Sequence, residues 1–168
     1  MEGHLDSHSR TELPTILVVD DERSIVQLCK ALLETAGFHV LEAEGSSEAL
    51  KICTQHDGPI DLLLTDLVLP PPDFQLSSTG NQFPHVNGHQ LAVRAATIRN
   101  GLHIMLMSGN PDKELASHGI KRGSLPFVVK PFGKDELVQM VREVLAQPAP
   151  ALNQIGNNQG GSDVDWFG

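Results

Sequence analysis

The chain has 168 residues, 40% of them hydrophobic, which suits one domain with a core of ordinary size. Twelve basic residues stand against 21 acidic ones, a net charge of −9, which argues against nucleic acid or an anionic membrane surface as a direct partner. No apolar run approaches the roughly 18 residues that suggest a membrane span. The opening MEGHLDSHSRTELP has no apolar segment after a basic one, so no secretory signal is read there. Cys29 and Cys53 lie in apolar patterns without CxxC spacing, and a reduced, cytoplasmic protein is expected.

Residues 1–13 are polar and are expected to be a flexible N-terminal segment. From there strand-like and helix-like segments alternate. TILVV (15–19) reads as a buried strand. Ile25, Leu28, Cys29, Leu32 and Leu33 follow the spacing of one helical face, which Gly37 ends. FHVLEA (38–43) is a second strand. A helix follows with Ala49, Leu50, Ile52 and Cys53 inward, and with Ser46 and Ser47 as candidate caps. IDLLLT (60–65) is a third strand, and Leu91, Ala95 and Ile98 mark a third helix. HIMLM (103–107) is a fourth strand, followed by a short helix after Pro111 that Gly119 stops. PFVV (126–129) is a fifth, and Leu137, Val138, Val141, Val144 and Leu145 form the clearest helical stripe. Apolar strands alternating with helices predict a doubly wound parallel sheet covered on both faces, a three-layer α/β/α domain.

Two stretches stand outside the alternation. Residues 71–86 follow Pro70, open on Pro71 and Pro72 and look like neither helix nor strand, with a polar tip at Ser77, Ser78, Thr79, Gly80 and Asn81. Leaving from the third strand, this loop is expected either to form a partly anchored lid or to be a surface insertion without chemical effect. His85 and His89, which flank it, are expected to be solvated loop histidines. Residues 147–168, rich in Pro, Gly, Asn and Gln, are expected to be a disordered tail, too short for an appended DNA-binding domain.

Ligands of open α/β sheets bind beyond the carboxyl ends of the strands. The first strand ends there in Asp20 and Asp21, the third in Asp66, the fourth in Ser108 and the fifth in Lys130. Three crowded carboxylates repel unless a cation sits among them. An all-oxygen set with open positions suits Mg²⁺. Asp66, alone on the central strand, is the natural nucleophile for an aspartyl phosphate. Lys130 would neutralise phosphoryl oxygens, and Ser108 would donate a hydrogen bond to one.

ILVVDDE (16–22), LLLTDLVLP (62–70), NGHQLA (87–92), IMLMSG (104–109) and FVVKPF (127–132) together resemble the receiver domain of two-component response regulators, over about residues 14–146. The resemblance implies a flavodoxin-like five-stranded sheet of order 2-1-3-4-5. By position it makes Asp66 the phosphoacceptor. It makes Asp20, Asp21, Asp66 and the Val68 carbonyl the Mg²⁺ ligands, Lys130 the phosphate-binding lysine, and Ser108 and Phe127 the switch pair. It implies a phosphorelay module that takes its phosphoryl group from a histidine kinase or histidine phosphotransfer protein, and an unknown downstream protein partner. The only catalysis implied is self-phosphorylation and dephosphorylation at the aspartate.

Departures are few. Phe127 lacks the hydroxyl of the commoner tyrosine. Pro70 and Gly88 stand eighteen apart, where the family usually needs only a few residues. A phosphatase or phosphotransferase of the haloacid dehalogenase class is the enzyme alternative. It would need a second acid two residues after the nucleophile, where Val68 stands. A docking scaffold that no longer takes phosphate, and a receiver belonging to a hybrid sensor kinase, are the other readings.

Overall fold

The computed structural model describes residues 13–69, 86–117, 119–120, 125–152 and 155. Five strands, β1 (Thr15–Val19), β2 (His39–Ala43), β3 (Leu62–Asp66), β4 (His103–Ser108) and β5 (Phe127–Val129), form one parallel sheet in the order β2-β1-β3-β4-β5. This is the doubly wound arrangement that the alternation predicted, in the flavodoxin-like order that the resemblance implied.

The strand period of two sorts the apolar side chains into two cores. Ile16, Val18, Leu62, Leu64, Met105, Met107 and Val128 pack on one side with helices α1 (Arg23–Thr35) and α5 (Lys134–Ala146). Leu17, Val19, Leu63, Ile104 and Leu106 pack on the other with α2 (Ser46–Gln55), α3 (Gly88–Ile98) and α4 (Pro111–Ser117). β1 and β3 are buried at every position, so both of their faces are covered. Cys29 and Cys53 are free and buried in opposite cores, and burial pushes their thiols up to about 12 and about 11.

Several local expectations need correction. The buried face of α1 is Val26, Cys29 and Leu33, while Leu28 is 41% exposed. Ile98, expected inside α3, is 43% exposed. Neither Ser46 nor Ser47 caps α2, whose N-cap is Gly45. The Ser46 hydroxyl instead accepts the Val86 N–H at 2.8 Å, fastening the chain just before α3. That helix has the cap: Asn87 accepts from Gln90 N–H at 2.8 Å and Gln90 from Asn87 N–H at 3.1 Å. Gly119 ends α4 at φ +69°, as its position suggested.

Two further corrections concern the termini of the insertion and the chain. His89 is no loop histidine: it lies in the first turn of α3, 1% exposed, and its Nε2 donates to the Ile155 carbonyl at 3.0 Å. Ile155, from the segment expected to be disordered, is fully buried in the α2–α4 core. The expected lid and His85 lie outside the described residues.

Candidate functional site

Carried one step past the strands, the same alternation puts Asp20, Asp66 and Lys130 on the α1/α5 side of the sheet and Ser108 and Phe127 on the α2–α4 side. The first group converges. Lys130 Nζ lies 3.1 Å from Asp20 Oδ2 and 3.3 Å from Asp66 Oδ2. One oxygen from each of Asp20, Asp21 and Asp66 falls within 4.8 Å of the others, a set that could hold a metal ion.

Backbone contacts aim these carboxylates. Asp20 is fully buried, and its Oδ1 accepts the Glu22 N–H at 2.9 Å. Asp66 is 6% exposed, and its Oδ1 accepts the Val68 N–H at 3.3 Å. Asp21 is exposed, giving the cluster an open flank. Val68, expected to offer its carbonyl to the ion, follows directly and is 38% exposed.

The electrostatics show what the cluster lacks. Burial pushes the Asp66 carboxyl up to about 7, reinforced by Asp20 and only partly opposed by Lys130. Asp21 is also raised, by burial first and by Asp20 second. Burial alone would lower the Lys130 ammonium, but Asp66 and Asp20 outweigh it and the net shift is upward. Three carboxylates share one ammonium. A divalent cation would relieve that surplus, so the donor set, all oxygen with one open flank, fits a hard ion.

Ser108 and Phe127 lie together on the other side. Leu106 pairs with Phe127 and Ser108 with Val129 across β4 and β5, and Phe127 packs half-buried against the α2–α4 core. The Ser108 hydroxyl is fully buried and donates to Glu114 Oε1 of α4 at 2.5 Å. It also accepts the Asn110 N–H at 3.3 Å.

Two neighbours escaped the sequence reading. A side chain at Gly88 would fall on the Asp66 carbonyl oxygen and within 2.8 Å of Leu67 Cα, so α3 starts hard against the strand that carries Asp66. The NG pair flagged the position but not its contact. Glu114 lies six residues beyond Ser108, and only the fold of α4 shows that the two meet.

Comparison with known proteins agrees with this fold. The family model of the response regulator receiver domain matches residues 16–73, from β1 into the segment after Pro70. The phosphate regulon transcriptional regulatory protein PhoB of Pseudomonas aeruginosa is 28% identical over 153 residues, 90% of this chain and 60% of that protein. The transcriptional regulatory protein CpxR of Escherichia coli K12 is 30% identical over 150 residues, 89% of this chain and 57% of its own length. A response regulator receiver domain protein from Clostridium thermocellum is 28% identical with a TM-score of 0.62, covering 80% of this chain and 95% of that one. By its fold and by these likenesses the chain is similar to the receiver domains of response regulators. The chain spans less than two thirds of the curated relatives named here, whose remaining parts it does not match. No helix among the described residues is long and apolar enough to cross a membrane.

Proposed function

We propose that residues 14–146 act as a phosphoryl-accepting receiver in a two-component phosphorelay, with Asp66 as the acceptor. The observation that carries this is the convergence of Asp20, Asp21 and Asp66 within 4.8 Å, with Lys130 bridging the two buried members. The donor is a histidine kinase or a histidine phosphotransfer protein. An Asp66 oxygen attacks phosphorus, a P–O bond forms, the P–N bond to the donor imidazole breaks, and its electron pair returns to the ring nitrogen. The leaving nitrogen departs on the side opposite the attacking oxygen.

Asp20, Asp21, Asp66 and the Val68 carbonyl would hold Mg²⁺. Such an ion would supply positive charge to the phosphoryl oxygens and favour the ionised form of Asp66. Lys130 keeps its proton, because two carboxylates favour its charge, and it neutralises a further phosphoryl oxygen. Ser108 and Phe127 form the element that reads the new group: the hydroxyl moves to it, and the ring fills the space vacated. Chemistry is confined to the domain's own aspartate. The acidic surface suits a protein as output partner.

Incubation with acetyl phosphate and Mg²⁺, followed by intact mass measurement, tests the assignment. Wild type gains one phosphoryl group and Asp66→Asn gains none. An equal gain in both would overturn it.

A further inference from the structure

The hydroxyl of Ser108 has one proton to donate, and in this structure that proton goes to Glu114 Oε1 at 2.5 Å. A phosphoryl oxygen on Asp66 needs the same proton. The two acceptors lie on different elements: Asp66 ends β3, whereas Glu114 belongs to α4, where its N–H donates to the Asn110 carbonyl at 2.9 Å. Ser108 cannot serve both. Its fully buried hydroxyl has no solvent through which to relax between them.

The geometry points to Glu114 as a positioning residue that sets the switch: its carboxylate competes with the phosphoryl group for Ser108 and so holds the domain in the unphosphorylated arrangement. This rests on the reading of Asp66 as acceptor. A hydrogen bond to an ionised carboxylate is roughly twice as strong as one between neutral groups. Phosphorylation must therefore break a strong bond before it gains one, and the affinity of any phosphoryl mimic is reduced by the fraction of molecules whose Ser108 is already released. Because Glu114 sits in α4, the same exchange frees the first turns of that helix from β4. The event at Asp66 thereby reaches the α4 surface through a single side chain pair.

The test uses beryllofluoride with Mg²⁺ as the phosphoryl mimic and NMR titration of the whole chain. Glu114→Gln keeps the shape of the acceptor without its charge, and Glu114→Asp keeps the charge but withdraws it from reach. Both should bind the mimic about tenfold more tightly than wild type, a difference of about 1.4 kcal/mol. In a Ser108→Ala background the same changes at Glu114 should leave affinity within about twofold, an effect of roughly 0.4 kcal/mol. A merely structural glutamate would alter affinity regardless of the residue at 108. Unchanged affinity in both Glu114 variants, or an equal gain with and without Ser108, would overturn the inference. Failure of wild type to bind the mimic, or binding retained in Asp66→Asn, would instead overturn the acceptor assignment.

Discussion

The two ends of the sheet use polar side chains in opposite ways. At the amino ends of the strands, Asp61 Oδ2 accepts the Thr15 N–H at 2.8 Å. Arg99 donates to the main-chain oxygens of Cys53, Gly58 and His56 at 2.8, 2.8 and 2.5 Å. Each charge there is spent on backbone that would otherwise be unsatisfied. At the carboxyl ends, Asp20, Asp66 and Lys130 turn mainly toward one another, and burial first and Asp20 second raise the Asp66 carboxyl to about 7 against the pull of Lys130. The first end holds loops to the fold. The second holds an electrostatic surplus in readiness for a ligand, and the domain is less stable for it.

Single substitutions should separate these roles completely. Asp66→Asn removes all phosphoryl uptake yet leaves the metal-free protein as stable as wild type or more so, since a crowded buried carboxylate has gone. Arg99→Ala should do the reverse. Losing three charged donors to main-chain oxygens costs about 2–4 kcal/mol, and denaturant unfolding would register it, while acetyl phosphate still labels Asp66. A destabilised Asp66→Asn and an unaffected Arg99→Ala would erase the contrast between the two ends.

The next effect is on pH. Asp66 binds a proton more tightly folded, at about 7, than its ordinary value of 3.8. Between those values the native state carries the extra proton, so stability is fully present below about 4 and is lost as pH rises toward 7. Asp21 shifts in the same direction. In the presence of a chelator, unfolding free energy should fall by up to about 1.4 kcal/mol per pH unit from this one group. Saturating Mg²⁺ or Asp66→Asn should flatten the slope. A chelated wild type whose stability rises across that window would show that the cluster is not strained.

Asp21 sharpens the comparison further, because it is exposed and bears least on the fold. Asp21→Ala should weaken Mg²⁺ binding at least tenfold, about 1.4 kcal/mol, with unfolding in chelator nearly unchanged. Calorimetry measures the first and urea titration the second. Equal Mg²⁺ affinity would remove Asp21 from the site.

How much of this was legible follows from the range of each interaction. The doubly wound parallel sheet, the two-faced burial of β1 and β3, and the acids at the strand ends all follow from local pattern and one topological rule, whereas the strand order came from the resemblance to receiver domains. Helix phase was read less well: Leu28 joined the predicted stripe by spacing alone. At 3.6 residues per turn it lies about 130° from the mean direction of Val26, Cys29 and Leu33. Partners distant in sequence were not legible at all. Ser46 looked like a cap because its bond to Val86 spans 40 residues, and the likeness of His89 to a loop histidine hid a bond across 66. Glu114 is only six residues from Ser108, but the bond requires the turn between β4 and α4.

The smallest expected effect concerns the start of the tail, which belongs to neither end of the sheet. Beyond α5 the chain passes Gln147, whose carbonyl lies 2.8 Å from His103 Nε2, and brings Ile155 fully buried into the α2–α4 core. The Ile155 N–H donates to the Ala151 carbonyl at 3.1 Å, and its own carbonyl takes Nε2 of His89. His89 adjoins Gly88, whose N–H donates to the Leu67 carbonyl at 3.0 Å, so the segment is fastened one residue from the strand end of Asp66. Truncating a buried isoleucine inside a rigid core costs roughly 2–5 kcal/mol. Here the loss is capped, because the segment can detach as a unit once its docking free energy is spent. Ile155→Asp should therefore lower stability by only about 1 kcal/mol, or roughly 2–4 °C in Tm, and removal of residues 151–168 should do the same. Removing 156–168 alone should change neither value. Phosphorylation of Asp66 should persist in all three proteins, because none of the three changes touches the carboxylates or Lys130. If the shorter truncation and the longer one melt together with wild type, Ile155 contributes nothing to the core. If the longer one fails to fold, the tail belongs to the domain as fully as Arg99 does.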